Sequence, residues 1–166
     1  VSEPDAELRI GGKVDRVDCY HGSDRDYIRV IDYKTGGKKF DLSEVVQGLN
    51  MQMLLYLFTL GENGVADLPS PGEAGVLYMP GSGHFTRDRR DASAESIAED
   101  QRKSYCMSGM VLDNPEVIEA MELGTAGRYI PVSLKKDGSY TAASSVITEE
   151  QLGLLRRQIA GNVVRM

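Results

Sequence analysis

The sequence predicts a mixed α/β (α+β) domain with a small central sheet flanked by helices. Two runs rich in β-branched and aromatic residues, "YIRVIDYK" at 27–34 and "AGVLYMP" at 74–80, read as strands. Longer stretches with helical spacing alternate with them. Hydrophobic residues make up 41% of 166 residues, enough for the core of one ordinary domain.

The elements follow in order. "ELRIGGKVDRVDCY" (7–20) reads as a strand broken by a glycine pair, and "HGSDRD" (21–26) has turn composition. With 27–34 it forms a hairpin. "TGGKKFDLSE" (35–44) is a polar loop in which Asp41 or Ser43 can cap the next helix. That helix, 44–60, has apolar residues on more than one face and is expected to be well buried. Glycine and proline punctuate the loop 61–73. Strand 74–80 is nearly all apolar, so it is central. Residues 81–91 turn away, 93–104 is helical, and 115–123 is a short helix with Pro115 in its first turn. Residues 129–148 read as irregular, with a Lys-Asp-Gly turn. The tail, 148–166, is an amphipathic helix capped by Thr148, with Gly161 as its weak point.

Composition excludes several classes. No apolar run approaches the roughly 18–20 residues of a membrane-spanning helix. The acidic, polar start is not a signal peptide. Cys19 and Cys106 form no CxxC pair and no zinc pattern, which suits reduced thiols in a cytoplasmic protein. The net charge of −6 argues against gripping DNA by surface charge alone. The basic clusters at 87–91 and 155–158 read as solvated faces. His21 and His84 sit in loops, and the GxG at 81–83 lacks a dinucleotide fingerprint. Met51, Met53 and Leu54 are core.

The chemistry sits at the end of the second strand. Residues i and i+2 share a face, so Asp32 and Lys34 point the same way where the sheet opens to solvent. Lys34 can be a plain ion-pair partner for Asp32. A second carboxylate, Asp15 in "GKVDRVD", changes the balance. Two converging carboxylates repel unless a cation lies between them, and such hard oxygen ligands select Mg²⁺ or Mn²⁺. A lysine beside that cation suits phosphodiester hydrolysis, through the attacking water or through charge on the transition state. Gln52 and Tyr56, four apart on the next helix, share a face and can support the site from within.

The ordered set "GKVDRVD", "VIDYKTG" and "QMLLY" resembles the PD-(D/E)XK nuclease superfamily in its RecB-like branch. "EVVQGLNMQMLLYL", "AGVLYMP", "SGMVLDNPEVIEAM" and the "KDGSY" to "TEEQLGLL" tail are closer still to the C-terminal nuclease domains of the AddB family, found in bacterial ATP-dependent helicase–deoxyribonucleases. The resemblance covers nearly the whole chain.

What the resemblance implies is a restriction-endonuclease-like fold and a Mg²⁺-dependent (or Mn²⁺-dependent) DNA exonuclease acting in double-strand-break repair. Asp15, Asp32 and the backbone carbonyl of Tyr33 would bind the metal. Asp32, Lys34, Gln52 and Tyr56 would form the catalytic set, the last two supporting the site. Asp18 is expected to be structural, paired with Arg16. The implied partners are single-stranded DNA delivered by a motor and an AddA-type helicase–nuclease subunit. A catalytically inactive docking or DNA-guiding module is the alternative.

Two departures from the family pattern stand out. A further metal ligand usually comes from a helix upstream, where this chain offers only Glu3 or Glu7. The family's iron–sulfur cysteines have no counterpart in Cys19 or Cys106. Residues 1–166 are therefore expected to be one nuclease domain, a fragment lacking the upstream helix and the iron–sulfur cysteines of the full-length subunit.

Overall fold

The computed structural model describes residues 11–36, 39–81, 93–124 and 127–165. Among the described residues ten elements follow one another: β1 (Arg16–His21), β2 (Asp26–Lys34), α1 (Leu42–Val46), α2 (Gln52–Asn63), β3 (Gly72–Pro80), α3 (Ala94–Ser104), β4 (Ser108–Leu112), α4 (Pro115–Met121), β5 (Val146–Ile147) and α5 (Glu149–Val164). The strands form one mixed sheet in the order β1-β2-β3-β4-β5. The β1–β2 and β3–β4 pairs are antiparallel, while β2–β3 and β4–β5 are parallel. This is the mixed sheet with flanking helices that the sequence predicts.

The hairpin forms as expected, closed by Gly22 N–H donating to the Arg25 carbonyl at 3.1 Å. The parallel β2–β3 pair needs a crossover, and α1 with α2 supply it. Side chains from both faces of β2 are buried. Ile28 and Val30 join α2 (Leu54, Leu57, Phe58) and α5 (Leu152, Leu155, Ile159) in the larger core. Ile31 faces the other way, with Leu77, Val111, Ile118 of α4, Ile130 and Val132. The sheet is thus a layer between two apolar packings, with α2 and α5 on one side and α4 on the other.

Four expectations need correction. The helix predicted over 44–60 is two helices, because Gly48 (φ 89°) and Asn50 (φ 53°) adopt left-handed backbone between them. Strand β4, read only as part of a family motif, pairs with β3 through Gly75 and Gly109. A Cβ there would stand 2.2 Å from the Met110 carbonyl oxygen and 2.1 Å from that of Val76, so only glycine allows this approach. The 129–148 stretch is largely irregular, as read, but its end contributes β5. Helix α5 runs unbroken through Gly161.

Thr148 does cap α5. Its hydroxyl accepts from Gln151 N–H at 3.2 Å and the Gln151 side-chain oxygen accepts from Thr148 N–H at 3.0 Å. The 155–158 cluster is not simply a solvated face. Arg156 is half-buried, pairs with Glu73 of β3 and lies over the Phe58 ring. The 87–91 cluster, His84, Glu3 and Glu7 lie outside the described residues. Among the described residues, both cysteines are free and no helix is long and apolar enough to cross a membrane.

Candidate active site

Parallel strands β2 and β3 finish together, with Lys34 opposite Pro80 and Asp32 opposite Tyr78. The carboxyl ends of neighbouring parallel strands leave a crevice in which ligands collect. Asp32 and Lys34 continue the Ile28/Val30 face, so they emerge from the α2/α5 core at this crevice.

Asp15 reaches the same place from a bend just before β1 rather than from within the strand. The β1–β2 register pairs Arg16 with Ile31, which sets Asp15 across from Asp32. One Asp15 carboxylate oxygen, Oδ2, accepts from Tyr33 N–H at 3.1 Å. Asp15 is therefore tied to the residue between Asp32 and Lys34. A strand residue's N–H and C=O leave on the same side, so the Tyr33 carbonyl also leaves toward β1.

Lys34 Nζ closes on Asp32 Oδ2 as an ion pair, with the two side chains 29% and 23% exposed. Oδ2 is itself buried and has no aligned hydrogen-bond donor. The Lys34 ammonium is the cation that serves this buried acceptor. Asp15, Asp32 and the Tyr33 carbonyl are the oxygens that could hold a hard divalent cation. Among the described residues, no group of three or more His, Cys, Asp or Glu side chains gathers to hold a metal. Two carboxylates plus backbone and water oxygens are the set available there.

Lys34 has a second neighbour that the sequence reading missed. Its Nζ lies 4.8 Å from the ring centroid of Tyr78, and Phe40 meets that ring edge-on at 6.0 Å. The ammonium is held between a carboxylate and an aromatic face. Burial, with negative charge from Asp32 and Glu44, pushes the Tyr78 hydroxyl above its ordinary pKa, while Lys34 opposes it. A sequence signal existed: a tyrosine near the end of an apolar strand, on the face shared with Val76.

Gln52 and Tyr56 share a face as predicted, and Gln52 Nε2 donates to the Tyr56 hydroxyl at 2.7 Å. Gln52 is exposed rather than buried, and it reaches Tyr56, not Lys34. Tyr56 instead abuts the loop before β1: a Cβ on Gly12 would stand 1.8 Å from its hydroxyl oxygen. The glycine that opens "GKVDRVD" thus makes room for the tyrosine that closes "QMLLY".

Asp18 is bound away from the crevice. Arg16 Nε donates to it at 2.6 Å, and Arg29 donates through Nε at 2.9 Å and Nη2 at 2.7 Å. Burial alone would raise its pKa, but the bonds and charge of Arg16 and Arg29 outweigh it and hold the carboxyl below the usual range. The pairing with Arg16 is the expected one; Arg29 is an addition.

Comparison with known proteins fixes the family. The family model of the PD-(D/E)XK nuclease superfamily matches residues 2–160. The chain belongs to the PD-(D/E)XK nuclease superfamily. The chain is 36% identical over 162 residues to the B-type subunit of the ATP-dependent helicase/deoxyribonuclease from Clostridium novyi (strain NT), covering 96% of this chain and 14% of that protein. It is 33% identical over 173 residues to the protein of the same name from Listeria innocua serovar 6a, covering 98% of this chain and 15% of that protein. The counterpart from Acetivibrio thermocellus is 36% identical over 156 residues, with 92% and 14% covered. The AddB resemblance read from the sequence therefore holds over most of the chain. The chain spans about one seventh of the length of the curated relatives it matches.

Proposed function

We propose that residues 1–166 form one nuclease domain of an AddB-type subunit, a Mg²⁺-dependent (or Mn²⁺-dependent) exonuclease that hydrolyses phosphodiesters of single-stranded DNA. Its place would be a cytoplasmic helicase–nuclease complex with an AddA-type subunit, serving double-strand-break repair. The iron–sulfur cluster of the full-length subunit would be carried by residues outside this chain. What supports the reading is the Asp32–Lys34 ion pair at the shared end of β2 and β3, with Asp15 across from Asp32 and held by the Tyr33 amide.

Asp15, Asp32 and the Tyr33 carbonyl would hold the cation. When bound, it would lower the pKa of a water molecule and polarise the phosphoryl group. In the reaction, water oxygen bonds to phosphorus and one P–O ester bond breaks. Negative charge grows on the non-bridging oxygens, and the Lys34 ammonium offsets it. Asp32 and the Tyr78 ring fix where that ammonium stands. Gln52 and Tyr56 support the wall beside Asp15 through Gly12. The acidic net charge fits a module to which other parts of the complex deliver the strand.

The test is cleavage of single-stranded DNA, with Mg²⁺ or Mn²⁺, by the full complex whose AddA-type partner carries an inactivated nuclease site, beside Lys34→Ala and Asp32→Ala. Each substitution should lower kcat by at least about a hundredfold, the scale of losing one transition-state contact. Undiminished cutting by both variants would leave the site as an inactive docking module.

A further inference from the structure

We infer that a single DNA strand occupies the cleft beside Lys34, with Lys39 and Lys103 on its phosphates and Phe40 against a base. The inference rests on the nuclease reading above and adds the path of the substrate.

The cleft has a volume of about 1040 Å³ and is lined at one end by Lys34, Tyr78 and Pro80. It extends along β4 and β5, with α5 and the end of α3 contributing walls. That volume is at the upper end of small-ligand pockets and leaves room for an extended chain. The charge of the lining decides which chain. Its described residues include three lysines, Lys34, Lys39 and Lys103, and one acid, Asp41. Asp41 is engaged as the cap of α1, accepting from Ser43 N–H at 2.8 Å and from Ser43 Oγ at 2.6 Å. Asp32 offsets Lys34 and Asp41 keeps its charge while capping, so Lys39 and the loosely held Lys103 supply the small positive excess that faces a polyanion.

The apolar part of the lining fits the same occupant. Phe40 is half-buried, braced edge-on by Tyr78, and belongs to the cleft that Lys34 enters. Proteins that hold single strands combine a positive groove with aromatic rings on which bases stack. Lys39 and Lys103 are exposed, and Lys103 is only loosely engaged by Asp100, at 4.0 Å. Both are free to swing onto phosphates. The catalytic lysine would then stand at the end of a track that aligns the backbone before it is cut.

The experiment uses the full-length protein assembled with a helicase partner whose own nuclease site is inactivated, and a fluorescein-labelled oligodeoxythymidine. Lys39→Glu, Lys103→Glu, the double substitution and Phe40→Ala are compared in binding and steady-state cleavage. The double substitution should raise Kd and KM by at least about tenfold while kcat changes by less than about threefold. The slope of log K against log salt should flatten by about 0.7 per lost phosphate contact on a single strand. Phe40→Ala should raise Kd at least about fivefold, with little dependence on base sequence. Thermal midpoints of the lysine variants should match the parent, since both side chains are exposed. Unchanged KM and salt slope, with Lys34→Ala still abolishing cleavage, would overturn the path and leave the nuclease reading standing. Weakened assembly with the helicase partner, without any change in oligonucleotide binding, would show that a protein segment fills the cleft, and would equally overturn it. Cleavage that survives Lys34→Ala would instead sink the nuclease reading itself.

Discussion

Gly12→Ala probes the contact that joins the loop before β1 to α2. An alanine Cβ would fall 1.8 Å from the Tyr56 hydroxyl oxygen, 2.6 Å from Cζ and 2.8 Å from Cε1. All three lie below the 3.0 Å that real Cβ atoms keep, so the ring or the loop must move. If the ring swings away, its 2.7 Å bond from Gln52 is lost. One such bond is worth about 0.5–1.5 kcal/mol. Overpacking typically adds about 1–3 kcal/mol. Tyr56 is only half-buried and can partly relax, so the expected cost is about 2–3 kcal/mol. The assay is urea unfolding of four proteins: parent, Gly12→Ala, Tyr56→Ala and the double variant. With the ring removed, the three nearest atoms that an alanine at position 12 would strike are gone, and its cost should drop below about 0.5 kcal/mol. Equal costs of Gly12→Ala in the two backgrounds would show that loop and ring do not touch, and the reasoning would fail.

Three further outcomes follow from the same geometry. Asp18→Asn removes the counter-charge of Arg29, whose side chain is only 16% exposed, and should cost about 2 kcal/mol near neutral pH by thermal or urea unfolding. Because the folded Asp18 titrates below its usual range, its contribution is present above about pH 4 and is lost as pH falls through the folded value, so the variant should show a shallower acid limb. Tyr78→Phe keeps the ring under Lys34 and should retain most nuclease activity, whereas Tyr78→Leu should lower kcat more than it raises KM; equal effects would show that the ring does not position the ammonium. Thr148→Ala opens the α5 capping box and should lower stability by about 1 kcal/mol in urea, with DNA cleavage unaffected.

The parts of the fold written in local pattern were legible. β2 and β3 announce themselves through β-branched and aromatic runs, and α5 through its cap. β4 was not, because five residues that include a glycine carry too little periodicity to separate strand from loop. The α1–α2 break depends on left-handed backbone at Gly48 and Asn50, which a composition rich in helix formers masks. In the site, Asp32 and Lys34 were readable because a charged pair at the end of a buried strand conflicts with its surroundings. Asp15 was found as a residue but misplaced within a strand, since only the register shows that β1 begins after it. Tyr78 meets Lys34, and Gly12 meets Tyr56, across segments distant in sequence, so local pattern alone does not pair them.

The central claim is tested most directly by anomalous diffraction from a Mn²⁺-soaked crystal. The account predicts one strong peak between the carboxylates of Asp15 and Asp32, near the Tyr33 carbonyl, and its disappearance in Asp32→Ala. A peak elsewhere in the molecule, with both carboxylates uncoordinated, would contradict it.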